Sequence, residues 1–164
     1  MSSKQTANPL PRALIDELIT LLEHSKPESL IYCSEEKVPA LDALQQEHCR
    51  ITHLNEPQTL QTLPRFQLGV IFDFLENHDA ETGTQLLGRL RNFHCDTIWV
   101  AVTTNPPWSF NTMIGLGFKR SQTYTTGDTE ICTYQYDIAS YNHKRSWNNP
   151  RYWANPENWG KYRW

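Results

Sequence analysis

With 164 residues, 38% of them apolar and 20% charged, the chain has the length of one domain and can bury a true core. No apolar run approaches the about 18 residues of a membrane span, and the polar start, Met1 to Asn8, lacks the apolar centre of a signal peptide. The net charge of −3 is unevenly spread: Tyr141 to Trp164 carries five Lys/Arg against one acid, Glu157, which leaves −7 on the rest.

Cys33, Cys49, Cys95 and Cys132 are widely spaced, with no C-x-x-C pair. They read as reduced thiols, so the cytoplasm is the expected compartment. Pro9 and Pro11 precede a helix expected to end near His24; Leu14, Leu18, Leu21 and Leu22 make its apolar stripe, and Pro27 stops it. Ser29 to Cys33 is a short apolar strand, and Pro39 opens a helix whose Val38, Leu41 and Leu44 share a face. Arg50 to Leu54 reads as a weaker strand, and Glu56 to Pro64 as a polar connector. Leu68 to Asn77 is the stretch around which the rest is organised. Its first half is a continuous apolar run, the pattern of a strand buried on both faces. Asp79 can cap a helix Ala80 to Phe93 that buries Leu86, Leu87, Leu90 and Phe93. Thr97 to Thr103 is another buried strand, and Trp108 to Leu116 a short helix ending at Gly115 or Gly117. Phe118 to Thr125 and Glu130 to Ile138 form a hairpin across Thr126-Gly127-Asp128. Strands alternating with helices call for a three-layer, mostly parallel α/β sheet. We expect six strands in the order 2-1-3-4-6-5, with only Glu130 to Ile138 antiparallel.

This order, closing on a hairpin, resembles the class I S-adenosylmethionine-dependent methyltransferase fold, a Rossmann-like architecture. Val70 to Asn77 looks like that family's fourth strand and following turn, Ile98 to Val102 like its fifth strand, and Gly115-Leu116-Gly117-Phe118 like the lead into its terminal hairpin. The resemblance covers about residues 66 to 138. It implies a cofactor pocket at Cys33, Ser34, Glu35, Glu56, Asp73 and Phe74. Where the family brings bare glycine backbone against the methionyl part of the cofactor, Tyr32 to Lys37 has no glycine. Glu35 and Glu36 also put negative charge where the cofactor's carboxylate would sit. Only about a dozen residues separate the second strand from the central one, too few for the family's helix, strand and helix, so one edge strand is expected to be missing.

Asn105-Pro106-Pro107-Trp108 resembles the N-P-P-aromatic motif of amino-methylating enzymes, in which Asn holds the amine and the ring stacks on it. The plainer alternative is a proline-stiffened strand exit with Trp108 capping the core. Asp73, Glu76, Asn77 and His78 gather beyond the central strand, where open α/β sheets bind ligands, and can supply a general base or simply cap and face solvent. Asp73 and Asn105 are therefore the catalytic candidates. His48, Cys49 and His53, like His94 and Cys95, have near-ligand spacing without third and fourth ligands, so no metal is expected.

Residues 1–140 read as the α/β domain, with 1–8 flexible, and 141–164 as a tail. In the tail, Trp147, Trp153, Trp159 and Trp164 with Tyr141, Tyr152 and Tyr162 are interleaved with Arg145, Arg151, Lys161 and Arg163. That pattern suits stacking on single-stranded nucleic acid, and it suits a tail that wraps its own acidic body. The wrap is favoured, because disorder disfavours tryptophan. The ending Asn155 to Trp164 is similar to the ends of a small uncharacterised bacterial family. The leading reading is a methyltransferase-like protein without normal S-adenosylmethionine binding, acting as a binding or interaction module, with no cofactor and no membrane expected. The alternatives are an active methyltransferase using S-adenosylmethionine and a single-stranded nucleic-acid binder.

Overall fold

The structure, a computed structural model, describes residues 11–42 and 49–141. Helix α1 (Arg12–Ser25) buries Leu14 and lays Leu18, Leu21 and Leu22 against the sheet, as its leucine spacing dictates. It stops where Lys26 turns left-handed (φ 41°) and returns its amide to the Leu22 carbonyl at 3.0 Å. Then follow β1 (Ser29–Cys33), α2 (Pro39–Asp42), β2 (Arg50–Leu54), β3 (Phe66–Ile71), α3 (Ala80–Arg89), β4 (Cys95–Thr103), α4 (Phe110–Gly115), β5 (Lys119–Thr126), β6 (Thr129–Asp137) and α5 (Ile138–Tyr141).

The chain has a methyltransferase-like α/β fold. Its six strands run β2-β1-β3-β4-β6-β5, as expected; the first four are parallel, and β6 is antiparallel to both β4 and β5. A short 3-10 turn, Pro57–Thr62, is all that joins β2 to β3, which leaves β2 as an outer strand among the described residues. Side chains alternate between two cores. Leu30, Tyr32, Leu68, Val70 and Trp99 pack under α1 and α2. Ile31, Ile71, Ile98 and Val100 pack under α3 and α4 with Leu86, Leu87 and Met113. Full burial of each large side chain contributes about 1.5–3 kcal/mol.

One polar knot joins these layers. Glu17 of α1 accepts from Trp99 Nε1 on β4 (3.1 Å), Tyr124 Oη on β5 (2.7 Å) and Thr133 Oγ1 on β6 (2.9 Å to one oxygen, 3.0 Å to the other). Trp99 and Thr133 are fully buried, so the carboxylate satisfies donors that have no water to turn to.

Asp79 stands at the N-cap of α3 as expected, its carbonyl taking the Gly83 amide at 3.0 Å, and the hydroxyl and amide of Thr82 in the first turn hold its carboxyl below the usual range. One local expectation is corrected. The α-helix ends at Arg89 and widens into a π turn over Leu90–His94, with the Cys95 amide reaching back to the Leu90 carbonyl. The wider turn breaks the period that would have buried Phe93, which is 67% exposed, while Leu90 stays in the core. Helix Pro39–Asp42 is described only to Asp42; Leu44 and His48 lie outside the described residues. So do the flexible start expected at 1–8 and, beyond Tyr141, the expected packing of the tail with its candidates Arg145, Trp147, Arg151, Trp153, Trp159, Lys161 and Arg163.

Candidate functional site

Parallel strands end together, so the loops after β1, β2, β3 and β4 gather on one side of the sheet, the usual place for a ligand in an open α/β fold. Those loops are acidic. Glu35 and Glu36 follow β1, Glu56 follows β2, and Asp73, Glu76 and Asp79 follow β3; Asp128 and Glu130 sit at the hairpin turn, against a single lysine, Lys37.

The loop after β1 is closed by its own contacts. Ser34 is only 2% exposed. Its hydroxyl donates to the Glu36 carbonyl at 2.6 Å, and its own carbonyl lies 2.9 Å from His53 Nε2 on β2. The parallel register sets His53 opposite Tyr32, and the two rings stack 4.7 Å apart. Tyr32 then donates from its hydroxyl to Asp42 at 2.9 Å and tethers α2. Cys33 ends β1 with its side chain wholly buried, and burial pushes its thiol well above the usual range; only its carbonyl, which accepts the Phe72 amide at 3.2 Å, faces the strand ends.

Asp73, directly after β3 and Phe72, is exposed and left-handed (φ 48°), a conformation side chains adopt at a cost. Partial burial raises its pKa; Asn77 opposes the rise and the Glu36 charge adds to it. Phe74 is fully buried, and the His78 ring stacks on it at 4.1 Å. His78 also stands 3.7 Å from the Glu35 carboxylate, so the β1 loop and the turn after β3 face each other across the strand ends. Glu76 turns the other way and accepts the Thr103 amide of β4 at 3.0 Å; burial of its carboxylate raises its pKa, an effect that this hydrogen bond opposes.

Of the residues singled out from sequence, Cys33, Ser34, Glu35, Asp73 and Phe74 thus come together, with Glu56 exposed at the end of neighbouring β2. Asn105 stands apart, exposed beyond β4, where its carbonyl accepts the Trp108 amide at 3.0 Å. Trp108 takes the plainer of its two roles. It is 2% exposed and donates from Nε1 to the Leu75 carbonyl at 3.1 Å, its ring over the bare backbone of Gly83. Sequence reasoning passed over Ser34 with His53 and Glu35 with His78 as pairs. The first was within reach once β1 and β2 were read as neighbours. A cleft of about 150 Å³ lies off this cluster, between the 3-10 turn and α3, lined by Gln58, Gln61, Gln85 and Arg89 over Leu86. Among the described residues, no three His, Cys, Asp or Glu side chains are grouped to hold a metal, and no helix is long and apolar enough to cross a membrane.

Solved structures agree with the architecture. An N1-methyltransferase of Burkholderia thailandensis with bound 1,6-didemethyltoxoflavin and S-adenosylhomocysteine superposes with a TM-score of 0.54 at 10% identity, covering 77% of this chain and 79% of its own. Magnesium protoporphyrin IX methyltransferase from Synechocystis, with bound S-adenosylmethionine, gives 0.52 at 10% identity, over 75% and 77% of the two chains. At such identity the likeness is one of fold. No curated protein matches the sequence. The family of unknown function DUF6231 matches residues 12–164, tail as well as fold, and the chain belongs to that family.

Proposed function

We propose that this protein keeps the methyltransferase fold but not the usual grip on S-adenosylmethionine, and that it serves as a binding or interaction module. The loop after β1 carries this reading. A cofactor lying here needs bare backbone beneath its methionyl part. Ser34 to Lys37 instead has a side chain at every position, and Ser34 is tied down through Glu36 and His53. Glu35 and Glu36 would oppose the cofactor's carboxylate. The residues present do not fit that end of the cofactor. Titration calorimetry with S-adenosylmethionine and S-adenosylhomocysteine tests the reading. We expect dissociation constants weaker than about 1 mM, roughly 4 kcal/mol of affinity.

A second reading, an active methyltransferase, is supported by the fold neighbours that hold S-adenosylmethionine or its demethylated product. In it, Asp73 or Asn105 would position the accepting group. A micromolar dissociation constant would replace the first reading with this one.

A further inference from the structure

We infer that the outer face of α4 docks an acidic, apolar peptide segment of a partner protein, with Arg120 and Tyr134 taking a carboxylate and Phe110 and Ile114 the apolar side chains. The inference rests on the binding-module reading and gives it a partner. Helix α4 buries Met113 and presents Phe110 and Ile114, one turn apart, to solvent; they are 45% and 42% exposed. Two guanidiniums flank this strip. Arg120 of β5 lies over the Phe110 ring, 4.7 Å from its centre. Arg91, in the π turn before β4, donates to the Leu116 carbonyl at 2.7 Å, just past the end of α4, and from Nε to Asn92 at 3.1 Å. Among the described residues, neither cation pairs with a carboxylate. Glu130, the acid that β6 carries on this face, stands 3.9 Å from the Cys132 thiol and makes no pair with Arg120.

Beneath the strip is a polar group that the fold leaves unserved. The antiparallel register sets Tyr134 of β6 directly opposite Arg120, so the two side chains share the face that Met113 of α4 covers. Tyr134 is wholly buried, and its hydroxyl makes no hydrogen bond. Cys132 beside it turns its thiol to Thr123 Oγ1 at 3.4 Å. Burial above all raises the pKa of the hydroxyl, Cys132 and Glu130 add to the rise, and the Arg120 charge opposes it. An unpaired buried hydroxyl weakens a fold, because the unfolded chain would give it to water. A carboxylate arriving at Arg120 draws the guanidinium off the Phe110 ring and gives the hydroxyl the acceptor that it lacks. Arginine and an aromatic ring on a small apolar patch are also the residues on which binding between proteins most depends. Charge selects the partner, since a basic segment would meet Arg91 and Arg120 with its own sign.

The test is fluorescence anisotropy of the full chain with a labelled amphipathic peptide of about fifteen residues, long enough to form a helix. It carries leucine and phenylalanine on one face and glutamate on the other, and a second peptide has lysine for every glutamate. We expect the acidic peptide to bind at about 10–100 μM in about 50 mM salt, as a small interface does, and the lysine peptide at least about tenfold more weakly. Arg120→Glu should cost about tenfold or more, and Phe110→Ala about fivefold or more. Phe93→Ala, which removes a still more exposed ring outside the strip, should change nothing. Tyr134→Phe separates docking from folding: it should melt no lower than the wild type, having lost an unpaired hydroxyl, yet bind the acidic peptide about fivefold or more weakly. Absence of binding, equal binding of the two peptides, or a Tyr134→Phe protein that binds as the wild type does overturns the inference. So does an equal loss from Phe93→Ala and Phe110→Ala, or displacement of the peptide by an oligothymidylate or by anionic vesicles. No peptide binding, with S-adenosylmethionine weaker than about 1 mM, overturns this site and leaves the module reading standing. A micromolar cofactor removes the module reading whatever the peptide does.

Discussion

Tyr124 donates its hydroxyl to Glu17 at 2.7 Å across 107 residues of chain, joining α1 to the outermost strand of the hairpin. The same carboxylate serves Trp99 and Thr133, so three strands lean on one side chain. Glu17→Ala would leave these donors without a partner, at a cost of about 2–4 kcal/mol. For a chain of this size that lowers the melting temperature by about 5–15 °C, whereas Glu17→Gln, which keeps one acceptor, should lose less. A Glu17→Ala protein melting with the wild type would show that α1 is held by its leucines alone.

The pair also sets an alkaline limit. Burial, helped by the hydrogen bond to Glu17 and the charges of Glu17 and Asp16, pushes the Tyr124 hydroxyl up to about 12. The unfolded chain gives up this proton near 10 while the folded one holds it. The stability is therefore present in full below pH 10 and is lost as the pH rises towards 12. Melting curves across that range should fall more steeply for the wild type than for Tyr124→Phe. Parallel curves would mean the hydroxyl does not feel Glu17.

Gly83 supports Trp108 by having no side chain. A methyl group there would overlap the indole ring and press on Leu75 at 3.2 Å, with the ring held in place by its bond to the Leu75 carbonyl. Overpacking of about 1–3 kcal/mol should outweigh the better helix propensity of alanine in Gly83→Ala. Near-ultraviolet circular dichroism should register the disturbed indole; an unchanged spectrum and melting point would count against the packing described.

Glu76 gives a test at the acidic end of the sheet. Its raised pKa means that ionisation opposes folding, so the unfavourable effect is absent well below 4.5 and grows as the pH rises through the folded value. Glu76→Gln keeps an acceptor for the Thr103 amide and removes the charge. The variant should melt higher than the wild type at neutral pH, with the gain fading in acid. A lower melting point at pH 7 would show that the charge itself is needed at the β4 end.

The strands were legible because burial on both faces writes an unbroken apolar run, as in Leu68 to Phe72, and the hairpin because Gly127 marks its turn. Even the absence of a strand beyond β2 among the described residues could be counted from the short connector after Leu54. Glu17 could not be found this way: a glutamate on an amphipathic helix looks solvated, and its partners are 82 to 116 residues away. Phe93 misled for a different reason. Its spacing from Leu86 and Leu90 is helical, and one π turn is enough to take it off the buried face. At the candidate site, the departure from a glycine loop could be read directly, but the contacts that close that loop depend on which strand lies beside β1.

Because Arg50, Arg91 and Lys119 stand at the amino end of the sheet and Glu35, Glu36, Glu56 and Asp73 follow the carboxyl ends of its strands, the described body carries its charge unevenly along the sheet. Brought near any surface of fixed negative charge, it experiences a torque as well as a net force, and the torque persists although the described residues carry nine Lys/Arg against sixteen Asp/Glu, a net charge of −7. The molecule would arrive amino end first, with the turn that carries Asp73 and His78 pointing back into the solvent. Whatever meets that turn would then meet it on a protein already oriented, without any change of shape.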